Sequence, residues 1–180
     1  NRLIAKFRSA NVRNFAGKER NRMLFTEIFL FTTDVDPLKH FYCDIWGLDL
    51  ISFNQETLSF QAGNTLIHFT QKEHAPIYHF AFNIPENQIV DAQNWLKAKV
   101  PLIPYQEEEI IDFGNWNAHA IYYQDSGGNI GELIARHSID NQSQEIFSSK
   151  SILELSEIGL VNADPIAFHT KLHAELGIPY

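Results

Sequence analysis

Residues 118–133, AHAIYYQDSGGNIGEL, decide the reading of this chain. An apolar arm (Ala118, Ile121, Tyr122, Tyr123) runs into Asp125-Ser126-Gly127-Gly128-Asn129, and a second arm leaves through Glu132 towards Ala135. Asp, Gly and Asn supply the local hydrogen bonds and positive-φ positions of a tight reversal, so the stretch predicts a hairpin. Glu132 stands between Gly131 and Leu133 in an arm that is otherwise apolar (Ile130, Leu133, Ile134). If that arm is buried, its carboxylate needs an ionic partner, hydrogen bonds or a metal, because an isolated buried charge is very costly. The alternative is a carboxylate at a solvated strand edge.

Upstream of this hairpin the chain repeats itself. From Leu24, Glu27, Phe29 and Phe31 alternate with Ile28 and Leu30, a strand pattern. Asp36-Pro37 reads as an N-cap followed by proline at the first helical position, and Leu38, Phe41, Tyr42, Ile45 and Trp46 form an apolar stripe that stops at Gly47. Strands over 49–53, 57–61 and 65–71 follow, with Gly63-Asn64 turning the last pair. At Tyr78 the series restarts. His79, Ala81 and Asn83 alternate with Phe80, Phe82 and Ile84; a helix over 86–99 and strands over 109–113 and 118–124 lead to the Glu132 arm. A third start appears beyond a polar linker, where SEIGLVNADP (156–165) mirrors TEIFLFTTDVDP (26–37). The predicted fold is α+β: paired βαβββ modules forming a cup-shaped sheet, plus the start of a third module. The divisions are a basic arm over 1–22, modules over 23–75 and 76–137, a linker over 138–152 and a partial third module, strand and helix, over 153–180.

Composition narrows the function classes. The 180 residues carry 44% hydrophobic residues and a net charge of −8, as expected of an ordered domain rather than a disordered chain. Seven of the fourteen Lys and Arg precede Met23, against the single acid Glu19, so the remainder holds 7 bases and 21 acids. That acidic body argues against nucleic-acid binding. The basic arm reads as disordered, or as a non-native leader ahead of a start at Met23. No run approaches a transmembrane length, which predicts no membrane partner. Cys43 is the single cysteine and reads as a packed thiol, which fits a reducing, cytoplasmic setting. No glycine-rich phosphate loop, nucleophile elbow, HExxH or CxxC is present.

The repeat, the strand opening at His79 and YYQDSGGNIGEL together resemble the vicinal oxygen chelate superfamily, which includes glyoxalase I, extradiol dioxygenases, fosfomycin-resistance enzymes and bleomycin-binding proteins. The resemblance covers roughly residues 24–136. Its motif usually reads Tyr-Phe-x-Asp-Pro-x-Gly-Asn-x-x-Glu; here Tyr123 replaces the Phe and Ser126 the Pro. The resemblance implies a small-molecule substrate with adjacent oxygen atoms and one divalent metal ion, Fe, Mn, Ni, Co or Zn. Its ligand positions fall on Glu27, His79 and Glu132. Glu27 departs from the His usual in extradiol enzymes, and Glu157 holds the same place in the third unit, so a carboxylate opening these strands also reads as a structural habit.

The candidate catalytic residues are His68, Tyr122 and His119. With His68 the set holds two His and two Glu, as in a glyoxalase I-type site with the first-module residues exchanged. Aligning Gly63-Asn64 with Gly128-Asn129, however, puts Ile67 rather than His68 opposite Glu132, and one residue of slip turns a side chain to the other face. Alternation separates His119, Ile121 and Tyr123 from Ala118, Ala120 and Tyr122, so His119 and Tyr122 compete for one cavity. The expected function is a metal-dependent glyoxalase- or dioxygenase-like enzyme; the alternative is a metal-free ligand-binding module of the bleomycin-resistance sort. The sequence leaves open whether further chain or a partner subunit, as in a homodimer, completes the third unit.

Overall fold

The computed structural model describes residues 4–13, 19–159 and 164–176. Strands β1 (Ile4–Arg13), β2 (Glu19–Thr32), β3 (Asp49–Phe53), β4 (Thr57–Ala62) and β5 (Thr65–Gln71) form one sheet in the order β1-β2-β5-β4-β3. The second sheet orders β11 (Glu154–Ile158), β6 (His79–Ile84), β10 (Ile130–Arg136), β9 (Ala118–Gln124) and β7 (Leu102–Ile103), with β8 (Ile111–Phe113) also paired to β9. In each sheet the opening strand runs parallel to the closing one, β2 beside β5 and β6 beside β10. This is the βαβββ unit twice. Helix α1 (Asp36–Lys39) continues as a π-helix over His40–Ile45; α2 spans Ile89–Lys97 and α3 Pro165–Leu176. Among the described residues no helix is long and apolar enough to cross a membrane.

The π segment has a local use. Its wider turn lets the Trp46 N–H donate to the Phe41 carbonyl at 3.1 Å, so Phe41 and Trp46 lie on one side and their rings meet at 5.4 Å. Gly47, at φ +78°, then ends the helix in the left-handed region. These aromatics join both modules: Tyr42 stacks on Phe60 of the first, and Trp46 meets Tyr123 of the second at 4.9 Å. One continuous core results, from Ile28 and Leu58 through Phe82 and Leu133 to Leu155. Gly131 keeps β10 open to it, since a Cβ there would sit 2.0 Å from the Tyr123 ring.

Two segments take places that the repeat does not indicate. The basic segment, expected to lie outside the modules, supplies β1, paired antiparallel to the free edge of β2. The opening strand of the third unit, β11, pairs antiparallel to the free edge of β6 and forms the outer strand of the second sheet. It also touches the first sheet, where the Thr65 hydroxyl donates to Phe25 O at 2.8 Å and accepts the Leu155 N–H at 3.0 Å.

The turn of residues 125–129 is locked to the first module. Asp125 Oδ1 accepts the N–H groups of Gly127 and Asn129, each at 2.9 Å, and Asp125 Oδ2 accepts the hydroxyl of fully buried Tyr42 at 2.8 Å. Burial pushes the Asp125 pKa up, against the pull of these donors, and pushes Tyr42 well above its usual range.

Two substitutions test this frame. Tyr42→Phe removes one donor to a buried carboxylate and lowers stability by about 1.5–3 kcal/mol, read from the urea midpoint at constant m-value. Gly63→Ala places a Cβ at φ +55° and 2.0 Å from the Leu153 carbonyl oxygen, so it costs about 2 kcal/mol or more in the same assay, beyond a simple propensity change.

Candidate functional site

Alternation on β6, β10 and β9 assembles the site. The helices cover the face carrying Phe82, Leu133, Ile121 and Tyr123. The opposite face bears His79, Ala81 and Asn83 on β6, Glu132 and Ile134 on β10, and Ala120 and Tyr122 on β9. Ala81, Ala118, Ala120 and Ile134 form its small-residue floor, packed under Phe113 and Tyr122. One row across the sheet reads Glu157, Ala81, Glu132, Tyr122, Ile103.

Glu132 is the centre of that row. Its side chain is 3% exposed, and His79 Nε2 lies 3.1 Å from its Oε2. The hydrogen bond to Glu132 raises the pKa of His79 above its ordinary 6.5, against the opposing effect of burial. Tyr122 faces the same carboxylate; burial first, then the charge of Glu132, push its phenol far above 10. The Tyr122 and His79 rings are 5.9 Å apart. On its other side Tyr122 lines a cavity of about 510 Å³ with Ile103, Pro104, Tyr105, Ile111, Asp112 and Phe113. The site thus joins a polar, proton-holding end to an apolar, aromatic chamber.

The first sheet contains an equivalent pair. Glu27 is opposite Leu66 and His68 opposite Phe29, just as His79 is opposite Ile130 and Glu132 opposite Ala81. His68 is therefore the counterpart of Glu132, and the alignment that favoured Ile67 is off by one. The reason is the turn: Ala62 pairs with Thr65 across two residues, whereas Asp125 N–H closes on Asn129 O across three. Ile67 is buried in the core instead. His68 Nε2 lies 4.0 Å from Glu27 Oε2, its Nδ1 is 2.8 Å from Ser59 Oγ, and its ring stacks on Phe29 at 4.4 Å.

The expected set Glu27, His79 and Glu132 does not come together. Glu27 sits with His68 in the first sheet, and among the described residues no group of three or more His, Cys, Asp or Glu is placed to hold one metal ion. His79 and Glu132 alone meet the spacing, and a two-residue donor set does not make the three-ligand centre. His119 is excluded from this face: it pairs with Ala135 on the helix side of the sheet, where alternation puts it opposite in direction to Tyr122. Two charged residues meet beside the row: Glu157, noted in the sequence only as the counterpart of Glu27, and Arg136, which sequence reasoning left out. Arg136 forms an ion pair with Glu157, and its Nε donates to Asn83 Oδ1 at 3.3 Å, while Asn83 donates to Glu154 at 2.6 Å. A signal existed for both: Glu157 aligns with Glu27, and Arg136 is four residues beyond Glu132 on one strand face.

The lactoylglutathione lyase of Agrobacterium tumefaciens is similar in structure, with a TM-score of 0.51 and 21% identity over 60% of this chain and 90% of that one. An integron cassette protein from the mobile metagenome of the Halifax Harbour sewage outfall gives 0.53 and 16%, over 61% and 95% of the two chains. A glyoxalase/bleomycin resistance protein/dioxygenase from Nocardioides gives 0.50 and 18%, over 67% and 87%. The fold is that of the vicinal oxygen chelate superfamily. No family model and no curated protein matches the chain. Within the vicinal oxygen chelate fold the units compared account for about three fifths to two thirds of this chain. That likeness concerns architecture, and the chemistry has to be argued from the residues.

The raised pKa of His79 carries a prediction with a definite sign. Its stabilising contribution is complete below the unfolded value near 6.5 and is lost as pH rises through the higher folded value. In metal-free protein, an NMR titration finds the imidazole of His79 titrating above 6.5, and Glu132→Gln returns it towards 6.5. The stability gap between the native chain and Glu132→Gln is wider at pH 5.5 than at pH 9; an unchanged gap refutes the coupling.

Proposed function

We propose that this chain binds a small molecule on the open face of its second module, without needing a metal to do so. The observation that carries the reading is the buried Glu132 carboxylate, shared by His79 and Tyr122 beside a cavity with apolar and aromatic walls. Such a site suits a ligand with an apolar or aromatic body and two neighbouring oxygen atoms at one end. The body fills the chamber of Ile103, Ile111 and Phe113, while its hydroxyl or carbonyl oxygens exchange hydrogen bonds with Tyr122, Glu132 and His79. A His–carboxylate pair of this kind also holds and releases a proton, so acid–base chemistry on the bound ligand is within its reach.

The second reading is a metal-dependent glyoxalase- or dioxygenase-like enzyme. It is favoured by the 3.1 Å between His79 Nε2 and Glu132 Oε2, close to the spacing of neighbouring donors around a cation with bonds near 2.1–2.2 Å, and by the matching Glu27–His68 pair. In that reading Glu27 and His68 come to face His79 and Glu132, for example from a second copy of the chain in a homodimer. Iron, manganese, nickel, cobalt or zinc then supplies Lewis acidity to the substrate oxygens.

Equilibrium dialysis against catechols and aromatic hydroxyketones, in the presence of EDTA, separates the two. The metal-free reading expects saturable binding in EDTA, weakened about tenfold by Glu132→Gln and by Tyr122→Phe, one hydrogen bond each. Binding that appears only with added divalent metal, together with stoichiometric metal lost in both Glu27→Gln and Glu132→Gln, overturns it in favour of the enzyme.

A further inference from the structure

The helix side of the second sheet carries a histidine pair that neither reading uses. His119, near the start of β9, and His137, just beyond β10, lie diagonally across the antiparallel ladder, where side chains on one face meet. His119 Nδ1 and His137 Nε2 are 2.7 Å apart, with the two rings at 71°. We propose that these two imidazoles form a binding site for one divalent first-row cation of the zinc, nickel or copper type, separate from the His79–Glu132 site.

Three observations support it. The facing nitrogens, 2.7 Å apart in a hydrogen bond, need open only to the roughly 2.9 Å of ligands at a right angle or the roughly 3.3 Å of tetrahedral ones, with metal–nitrogen bonds of about 2.0–2.1 Å. In the unliganded pair one ring donates its N–H to the other. On binding, the donating ring moves that proton to its other nitrogen, so two neutral imidazoles bind a cation with no net proton release. The second observation is Asp112, whose Oδ1 lies 3.9 Å from His119 Nε2, the nitrogen turned away from His137. At that distance the carboxylate makes no hydrogen bond, but its negative charge favours a cation on the imidazole, and a closer approach would orient the ring. The third is the frame. His119 is fixed opposite Ala135, and the His137 N–H donates at 2.9 Å to the carbonyl of Asn117, itself held in the left-handed region at φ 50°. Both rings are only partly buried, so an ion reaches them from solvent. Among the described residues no third His, Cys, Asp or Glu joins the pair, so water fills the other positions and the coordination sphere is open. Imidazole donors select zinc, nickel or copper over magnesium or calcium.

The test is a titration of the full chain with Zn²⁺ alone, followed through the imidazole nitrogen resonances. One equivalent of Zn²⁺ shifts His119 and His137 together and saturably, and Glu132→Gln leaves that response intact. His137→Gln weakens the affinity at least about tenfold, and Asp112→Asn weakens it by a smaller factor, up to about tenfold. Circular dichroism confirms that each variant is folded, and the titration of the native chain stands without any variant. The proposal is overturned if excess Zn²⁺ leaves both resonances unmoved, or if the Zn²⁺ affinity is the same in His119→Gln and His137→Gln as in the native chain. It does not depend on the ligand reading of the opposite face.

Discussion

The carboxylate of Asp125 accepts hydrogen bonds from the Tyr42 hydroxyl, from the N–H groups of Gly127 and Asn129, and from the Asn129 amide, in a place solvent hardly reaches. Every other feature of the second module's closing hairpin depends on this. The turn shapes the approach to β10, and β10 carries Glu132. Because one of the donors is Tyr42, on the helix of the first module, the same carboxylate that shapes the turn also sets the first module against the second. Burial opposes ionisation of Asp125, and the donors support it, so each bond missing from the set is felt. Phe41, Trp46 and Tyr123 close around this point, and the aromatic packing excludes water from the bonds that position it.

Much of this was legible in the sequence for a simple reason. Period-two alternation in β2, β6 and β9 is strong, the turns are marked by Gly and Asn, and the order of events recurs, so local pattern and global fold agree. The separation of Tyr122 from His119 follows from the same alternation, whereas His79 and Glu132 were linked only through the family resemblance. What was not legible depends on contacts far apart in sequence. The register of His68 was misjudged because two turns of different length were treated as equal, and a slip of one residue reverses a strand. The π segment has no sequence mark distinguishing it from an α-helix of the same apolar stripe. The basic residues of β1 obscured a strand because charge on every second or third position is the habit of edge strands as well as of disordered arms. Arg136 was passed over, and Glu157 was noted only as the counterpart of Glu27, because nothing local states that β11 returns to β6.

β1 and β11 have one geometric role in common, and it bears on chemistry. A βαβββ unit leaves the outer edge of its opening strand unpaired, an exposed row of N–H and C=O groups. Here β1 satisfies that edge for β2, and β11 satisfies it for β6. With both edges taken, β2 and β6 do not pair with each other, and Glu27 within β2 and His79 at the start of β6 belong to different sheets.

That separation explains why each acid is met within its own sheet. Glu132, almost wholly buried, has His79 and Tyr122 for neighbours; Glu157 has Arg136; Glu27 lies beside His68. A buried carboxylate must be compensated where it stands, because the cost of leaving it uncompensated exceeds what most single contacts contribute. The two modules use the same strand positions and the same two residue types, with histidine and glutamate exchanged between opening and closing strands. A hydrogen-bonded His–Glu pair tolerates that exchange, since proton donor and acceptor need only face each other. A metal centre tolerates it as well, but only when the pairs converge on one point. Within a single chain having β1 and β11 on the intervening edges, the sheets satisfy the first condition and not the second. On the open face His79, Glu132 and Tyr122 are therefore neighbours within one sheet, while the Glu27–His68 pair stands in the other.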